Sequence, residues 1–468
     1  MNPQIETEFI VDTALIETTT GTKAWKENVR FSISKGVITQ IDYDCPAAES
    51  SRSIAGIAIP AMVNTHSHAF QRGFAGMSEF RTESRDSFWT WRNLMYKFVS
   101  DLTPEDVYII ARQLYLEMVV AGYSWVGEFH YLHNSPSGNP YANPTEMADA
   151  LLRAAGEAGI GINLLPVLYQ RSGFSAEETN HGQRRFALSL DQYFSLVDSC
   201  CEKITDNPDA AIGLAFHSLR AVSSEAMQEV LQYRTNHLVD CSVHIHVAEQ
   251  QLEVDDCLLA TGKRPLQFLF DSFPIDESWC LIHATHMDND EIARLSSSRA
   301  VAGLCPTTEA NLGDGFFPAS QFLGSGGRIS VGSDSHCSVN LREELRWLEY
   351  GQRLLDGQRA ALGTPQFSTG RRLYSECAQS GGQAIGIKTG RLAVGCRADL
   401  LILSPDHPTI SHASKDRILD RFIFLNTGCP IQQRMLGGRW IEERQLTEQL
   451  LRSRVAFNQL NQKFFKFP

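Results

Sequence analysis

Short apolar runs alternate with helix-period stretches through the middle of this chain, whereas both ends alternate single apolar and polar positions. Residues 9–11 and 29–38 have this alternation, with a turn at Lys35-Gly36, and it returns at 390–403. Period-two alternation broken by glycine turns is typical of strands and hairpins. The two distant segments are therefore predicted to meet in one small β-sandwich.

Eight apolar runs between these ends predict strands separated by helices. The runs begin near Ile57, Tyr123, Ile160, Ala211, Ser242, Trp279, Ala300 and Ile329. Alternating strands and helices favour a parallel sheet covered by helices, and eight repeats predict a (β/α)8 barrel of the TIM type. In such barrels, chemistry belongs to the carboxyl ends of the strands. Most of these runs do end in polar residues.

These patterns divide the chain into three predicted parts. The boundaries are residues 1–59 with 388–442 for the composite β-sandwich, 60–387 for the barrel and 443–468 for a C-terminal helical tail.

Charge and composition narrow the function. The chain has 468 residues, and 42 basic against 54 acidic side chains leave a formal charge of -12. This balance disfavours nucleic acid or an anionic membrane surface as partner, although a small anion remains compatible if a few arginines line a pocket. Residues 1–10 lack the features of a signal peptide, and no run reaches the ~18 apolar residues of a membrane span. Eleven cysteines without Cys-x-x-Cys spacing fit reduced thiols, so a cytoplasmic location is predicted.

A histidine pair at the end of the first run is the first sign of a metal site. His66 and His68 are two residues apart, so both leave the same face of a strand. Later strand ends add His246, His283 and Asp334 as candidates. Imidazoles with one carboxylate suit Zn2+ or Fe2+, and a catalytic ion keeps one position open for water. The predicted ligands of one divalent ion, with Zn2+ favoured, are His66, His68, His246 and Asp334.

The fifth strand offers a second choice of ligand. His244 and His246 share one face, so their spacing does not choose between them. We select His246 because Glu249 lies three residues beyond it and can project into the same pocket; His244 is interpreted as a buried barrel histidine. A second metal in related barrels needs a bridging lysine, and none occurs between Lys97 and Lys203. One ion is therefore predicted.

The combined motifs resemble the amidohydrolase superfamily, in its branch of mononuclear deaminases. Further stretches, among them HSHAFQRGFAGM, FWTWRNLMYKFV, GEFHYLH and GSDSHCSVNLREELRWLEYGQR, resemble the N-formimino-L-glutamate deiminase family. The similarity runs from about Pro60 to Arg353, with a family-like ending at 390–404. Ala61, Val63 and Gly127 stand where the family has Gly, Pro and Ala, and none of these positions carries a polar group.

The resemblance implies hydrolysis of N-formimino-L-glutamate to N-formyl-L-glutamate and ammonia, in a route of histidine degradation, by a homodimer. It implies that Asp334 also takes the proton of the attacking water, that His283 stabilises the tetrahedral intermediate, and that Glu249 carries the proton to nitrogen. The residues implied to contact this small anionic amino-acid derivative are Gln71, Arg92, Tyr131, His217, Arg220 and Ser333. The arginines suit carboxylates because a guanidinium donates two parallel hydrogen bonds.

Two other functions remain open at this point. A deaminase of a cyclic amidine, such as a purine or pterin, would share the metal ligands, Glu249 and His283. It would have no use for Arg92 and Arg220, because a neutral ring carries no carboxylate. A metal-free barrel acting as a binding or assembly module would lack at least one ligand or the acid.

Overall fold

The computed structural model describes residues 7–46, 52–80, 87–175 and 177–464. The outermost residues of two predicted parts, 1–6 and 465–468, lie outside the described residues. In chain order, the strands are β1 (Thr7–Glu17), β2 (Lys23–Ser34), β3 (Val37–Asp42), β4 (Arg52–Pro60), β5 (Met62–Ser67), β6 (Tyr123–His130), β7 (Gly161–Leu168), β8 (Ala210–Ile212), β9 (Leu214–Ser218), β10 (Val243–Val247), β11 (Trp279–His283), β12 (Val301–Leu304), β13 (Arg328–Val331), β14 (Leu400–Leu403), β15 (Ile431–Leu436) and β16 (Arg439–Ile441).

Helices fill the connections between the strands. They are α1 (Phe88–Val99), α2 (Pro104–Ala121), α3 (Glu146–Ala158), α4 (Leu190–Ile204), α5 (Ser224–His237), α6 (Gln251–Thr261), α7 (Pro265–Ser272), α8 (Asn289–Ser298), α9 (Pro306–Leu312), α10 (Ala319–Gly324), α11 (Leu341–Asp356), α12 (Thr369–Ala384), α13 (Ile418–Phe424) and α14 (Glu443–Phe464). Local sequence sets their ends. For example, Thr103 caps α2 through Asp106, Pro104 occupies its first turn, and Gly122 ends it with a φ of 102°.

The strands of the middle of the chain form a parallel barrel. The order β5-β6-β7-β9-β10-β11-β12-β13 has parallel pairing throughout, and β8 pairs with β7 beside it. An isolated parallel bridge between Ser67 and Asp334 joins the first and last strands of this order. The predicted (β/α)8 fold class is therefore confirmed, and the carboxyl ends of all eight strands face one mouth.

The two ends of the chain share a separate sheet, as predicted. Its order is β16-β15-β14-β4-β1-β2-β3, antiparallel except for the parallel pair β1 and β4. Its own apolar core includes Phe9, Phe31, Ile402 and Met435. Along β1 and β14 these side chains alternate with others, such as Leu15, Leu401 and Leu403, that belong to the larger core of the barrel, so both faces of β14 are buried.

Two of the eight predicted strand starts were wrong. Ile57 lies in β4 of the terminal sheet, and the first barrel strand begins at Met62. The chain passes from one sheet to the other without a loop, and both sides of Pro60 are buried, so hydropathy shows no boundary. Ala211 lies in β8, whereas the fourth barrel strand begins at Leu214.

The C-terminal helix α14 packs on α2. Lys463 Nζ lies 3.0 Å from Asp106 Oδ2, and the rings of Phe98 and Phe464 are 5.3 Å apart. Among the described helices, none combines the length and hydropathy needed to cross a bilayer.

Candidate active site

Three imidazole nitrogens meet at the mouth of the barrel. His66 and His68 come from the end of β5, and His246 comes from β10. The Nε2 atom of His66 is 3.0 Å from Nε2 of His68 and 3.0 Å from Nε2 of His246. All three side chains are buried. Fold topology thus brings the pair of the first strand and the histidine of the fifth strand to one point.

Backbone carbonyls set the tautomers of two of these histidines. Nδ1 of His68 donates to the Phe129 carbonyl, and Nδ1 of His246 donates to the His217 carbonyl, each at 2.9 Å. Their Nε2 atoms are then lone-pair acceptors that point at one another. Burial, with the neighbouring His68, lowers the pKa of His66 to about 3, and burial also holds the pKa of His246 well below its usual range. His66 and His246 are therefore neutral, as metal ligands must be.

Asp334 completes the cluster from the segment that follows β13. Its Oδ1 atom lies 3.4 Å from His66 Nε2 and 3.2 Å from His68 Nε2. Although burial acts to raise it, the two neighbouring histidines hold the pKa of Asp334 well below its usual range. The residue has a φ of 45°, and its N–H donates to the His66 carbonyl at 3.0 Å.

These atoms fit one divalent cation. Ligands about 2.0–2.1 Å from a tetrahedral Zn2+ stand roughly 3.3–3.4 Å apart, close to the 3.0 to 3.4 Å separations seen here. Converging lone pairs beside a carboxylate repel one another unless a positive charge lies between them. His244 does not join the cluster, because its Nε2 donates to the Ala384 carbonyl at 2.7 Å.

An acid lies beside the metal cluster. Glu249 Oε1 is 3.6 Å from His283 Nε2, and His283 Nε2 is 3.8 Å from Asp334 Oδ2. Burial raises the pKa of Glu249 above its usual range. Although burial acts to lower it, the neighbouring carboxylates of Glu249 and Glu309 raise the pKa of His283 above its usual range. Both groups can therefore carry a proton near neutral pH.

Sequence reasoning missed Glu309, on α9. Its Oε1 lies 3.2 Å from His283 Nδ1 and also accepts the Cys305 N–H at 2.8 Å. The bond to Nδ1 turns the other ring nitrogen of His283 toward Glu249 and Asp334. The available signal was its position among the polar residues that end the seventh strand.

The opposite end of the pocket is positively charged. Arg92, on α1, and Arg220, after β9, line it with Tyr131, His217 and Gln71. The sequence thus predicted a set of residues that the fold does bring into one cavity. Ser333 is the exception: its hydroxyl lies 2.6 Å from Asn64 Nδ2 and 2.9 Å from His336 Nδ1, and it does not line this cavity.

Several polar atoms of this pocket are buried without a partner. They include the Nε atoms of Arg92 and Arg220 and the Oε1 atom of Gln71. Gln71 donates from Nε2 to the Tyr131 hydroxyl at 3.0 Å, so the tyrosine O–H is free to donate elsewhere. Buried polar groups normally have partners. These unsatisfied atoms indicate a ligand with carboxylates and an N–H group.

Comparisons with known proteins agree with this geometry. A family model described as "Amidohydrolase family" matches residues 57–441. The chain is 48% identical over 421 residues to the formimidoylglutamate deiminase of Pseudomonas aeruginosa. The aligned residues cover 90% of this chain and 92% of that protein. It is 26% identical over 408 residues to the 8-oxoguanine deaminase of the same organism, with 84% of each chain covered.

Solved structures are similar over nearly the whole chain. The crystal structure of an amidohydrolase from Brucella melitensis has a TM-score of 0.90 and 40% identity, and covers 98% of this chain and 100% of that one. An adenosine deaminase from Xanthomonas campestris, solved with bound zinc, has a TM-score of 0.76 at 17% identity, with the same coverage. The second similarity concerns the fold alone.

Proposed function

The chain belongs to the amidohydrolase family, and on that premise we propose that it hydrolyses N-formimino-L-glutamate to N-formyl-L-glutamate and ammonia. The observation that carries the substrate is the pair of buried, unpartnered guanidinium Nε atoms in the pocket that the acid also lines. A substrate with two carboxylates neutralises both guanidinium charges, whereas the neutral ring of a cyclic amidine brings no negative charge. The residues of a metal cluster and an acid, all present together, argue against a metal-free binding module.

One divalent ion would be held by His66, His68, His246 and Asp334, a donor set that suits Zn2+ or Fe2+, and Zn2+ is the ion we propose. Such an ion, when bound, supplies Lewis-acid activation of a water molecule near neutral pH.

The protons move through the residues of the chain. Asp334 accepts a proton from the attacking water, and His283 beside it donates a hydrogen bond to the water-derived oxygen of the tetrahedral intermediate. Glu249 delivers one proton to the terminal nitrogen as water adds, so that the tetrahedral carbon carries a hydroxyl and an NH2 group. Asp334 then passes its proton to this NH2 group, and Glu249 recovers a proton from the hydroxyl. The carbon–nitrogen bond breaks, ammonia leaves and the carbon–oxygen double bond of the formyl group forms, so that both protons of water end on the departing nitrogen.

The remaining residues orient the substrate. Arg92 and Arg220 bind its carboxylates, with Tyr131 and His217 donating beside them. The free Oε1 of Gln71 accepts an N–H of the formimino group. We also propose Ser333 near that group, where its hydroxyl stands behind the pocket wall, bonded to Asn64 and His336.

An ammonia-release assay tests this function directly. The purified chain is supplied with formiminoglutamate, with adenosine as a cyclic amidine, and with formiminoglutamate after verified removal of metal by a chelator. We expect ammonia from formiminoglutamate alone, loss of activity in the stripped sample, and recovery with Zn2+ or Fe2+. Turnover of adenosine in place of formiminoglutamate, or full activity without metal, would contradict the proposal.

The wider context is proposed on the same basis. The reaction belongs to a route of histidine degradation, in the cytoplasm, and the chain acts as a homodimer with the three-part division predicted from its sequence. Light scattering after size-exclusion chromatography tests the dimer, for which a mass of one subunit would be the contrary result.

A further inference from the structure

The barrel closes at a seam that carries three of the four predicted metal ligands. His66 and His68 lie on one side of this seam and Asp334 on the other. Besides the bridge at Ser67, two backbone hydrogen bonds cross it, from Asp334 N to the His66 carbonyl at 3.0 Å and from His68 N to the Asp334 carbonyl at 3.3 Å. Small slippage here would change the spacing of the ligands.

A buried chain of side chains crosses the same seam. Asn64 Nδ2 is 2.6 Å from Ser333 Oγ, Ser333 Oγ is 2.9 Å from His336 Nδ1, and His336 Nε2 is 3.2 Å from Ser67 Oγ. Ser67 Oγ then donates to Glu128 Oε2 at 2.6 Å. His336 is 1% exposed and makes the second side-chain crossing of the seam, beside the bond between Asn64 and Ser333.

The groups at the two ends, Asn64 and Glu128, fix the direction in which these side chains donate their hydrogen bonds. The amide of Asn64 donates from Nδ2, and the carboxylate of Glu128 only accepts. Ser333 therefore accepts from Asn64 and donates to Nδ1 of His336, whose Nε2–H donates to Ser67. Each hydroxyl proton is used once. Glu128 accepts a second bond, from the Ala69 N–H at 2.7 Å, so that it holds the residues on both sides of His68.

The backbone of the seam is strained as well. Asp334 and His336 have φ values of 45° and 60°, which side chains other than glycine rarely adopt. Such residues persist where the surroundings over-determine them. The bonds of Ser333 and His336 hold this turn together with those between Thr308 and Ser335.

We propose that His336 is a positioning residue, which sets the spacing of His66 and His68 relative to Asp334 through the chain from Asn64 to Glu128. The inference rests on the proposed function in so far as these residues bind metal. His336 neither lines the substrate pocket nor belongs to the predicted ligands. Its loss should therefore weaken metal affinity through the placement of the ligands.

The experiment measures the dissociation constant of Zn2+ on metal-stripped full-length protein by competition with a chromophoric chelator. His336→Leu is expected to weaken affinity about 10- to 100-fold, as loss of partners behind metal ligands does. His336→Gln offers one donor and one acceptor on an amide and is expected to recover most of that loss. His133→Leu is the matched control, because His133 is also buried and its Nε2 donates to the Val167 carbonyl, away from the seam.

Ser67→Ala provides a second variant if His336→Leu does not fold by circular dichroism, since it removes the hydroxyl between His336 and Glu128. Weakened affinity in either folded variant, with His133→Leu unchanged, supports the proposal. Affinity within twofold of wild type in the folded seam variants, or an equal loss in His133→Leu, overturns it. Because Zn2+ binding is measured without substrate, failure of the chain to release ammonia would be a separate result.

Discussion

The two ends of the pocket are built in different ways. At the metal end, His68 and His246 come from barrel strands, and each has its outer nitrogen bonded to a backbone carbonyl. At the arginine end, Arg92 comes from a helix outside the barrel and Arg220 follows a strand, and both retain a buried Nε without a partner. The first end is held mainly by the fold, although His66 Nδ1 is also buried without a partner, whereas at the second end both arginines await a ligand.

This difference separates two tasks. A rigid arrangement of ligands and acid acts on the reacting atoms and so governs kcat. Buried guanidinium groups that await a partner act on the ends of the substrate and so govern KM and substrate choice. Variants at the two ends should therefore separate in these two constants.

Glu249→Gln should have the largest effect, because it removes the proton carrier and keeps the shape of the side chain. We expect kcat to fall by roughly 10²- to 10⁴-fold, with little change in KM or metal content. Steady-state ammonia release and metal analysis measure these quantities. Glu344→Gln is the matched control, a buried carboxylate that accepts the Thr307 N–H away from the pocket, and should keep kcat. A near-normal kcat in Glu249→Gln would contradict the assignment of Glu249 as the proton carrier.

Arg220→Met should mainly raise KM. The guanidinium is 7% exposed, and loss of its charge-assisted bonds is worth about 1.5–3 kcal/mol, or roughly a 10- to 150-fold change. Because the acid and the metal end are unaffected, kcat should change much less. A fall in kcat at constant KM would mean that the two ends do not divide the work as described.

Glu309→Ala should give an intermediate effect on kcat. The variant leaves Nδ1 of His283 without its acceptor, at a cost of about 1–2 kcal/mol, or roughly 5- to 30-fold. Glu309→Gln keeps an acceptor oxygen and should recover part of the loss. Stopped-time assays at saturating substrate make the comparison; equal activity of wild type and Glu309→Ala would show that His283 needs no such support.

Arg92→Met should have the smallest effect. Arg92 is half-buried, and its guanidinium stacks 4.3 Å from the ring centroid of Trp89, which partly satisfies the cation. We expect a rise in KM of roughly fivefold, about 1 kcal/mol. Measured beside Arg220→Met, a larger rise for Arg92→Met would reverse the order proposed for the two arginines.

Much of this site was predictable because the relevant pattern is local. His66 and His68 share a face by the period of a strand, and polar residues at strand ends belong at one mouth of a parallel barrel. The same reasoning predicted Arg220. It did not predict that Glu309 bonds to His283, since no local pattern relates a helix residue to a histidine on another strand.

By itself, the sequence determined which elements form and which polar side chains end the barrel strands, because strand and helix periods depend on neighbouring residues. The strand period alone did not choose between His244 and His246; the nearby Glu249 selected His246, and the tertiary structure brings it to His66. Only the tertiary structure decided that Ile57 belongs to the terminal sheet. Two residues on one strand face are equivalent until other strands pack around them. Hydrogen bonds between distant segments, such as those at the seam, cannot be predicted from local periodicity.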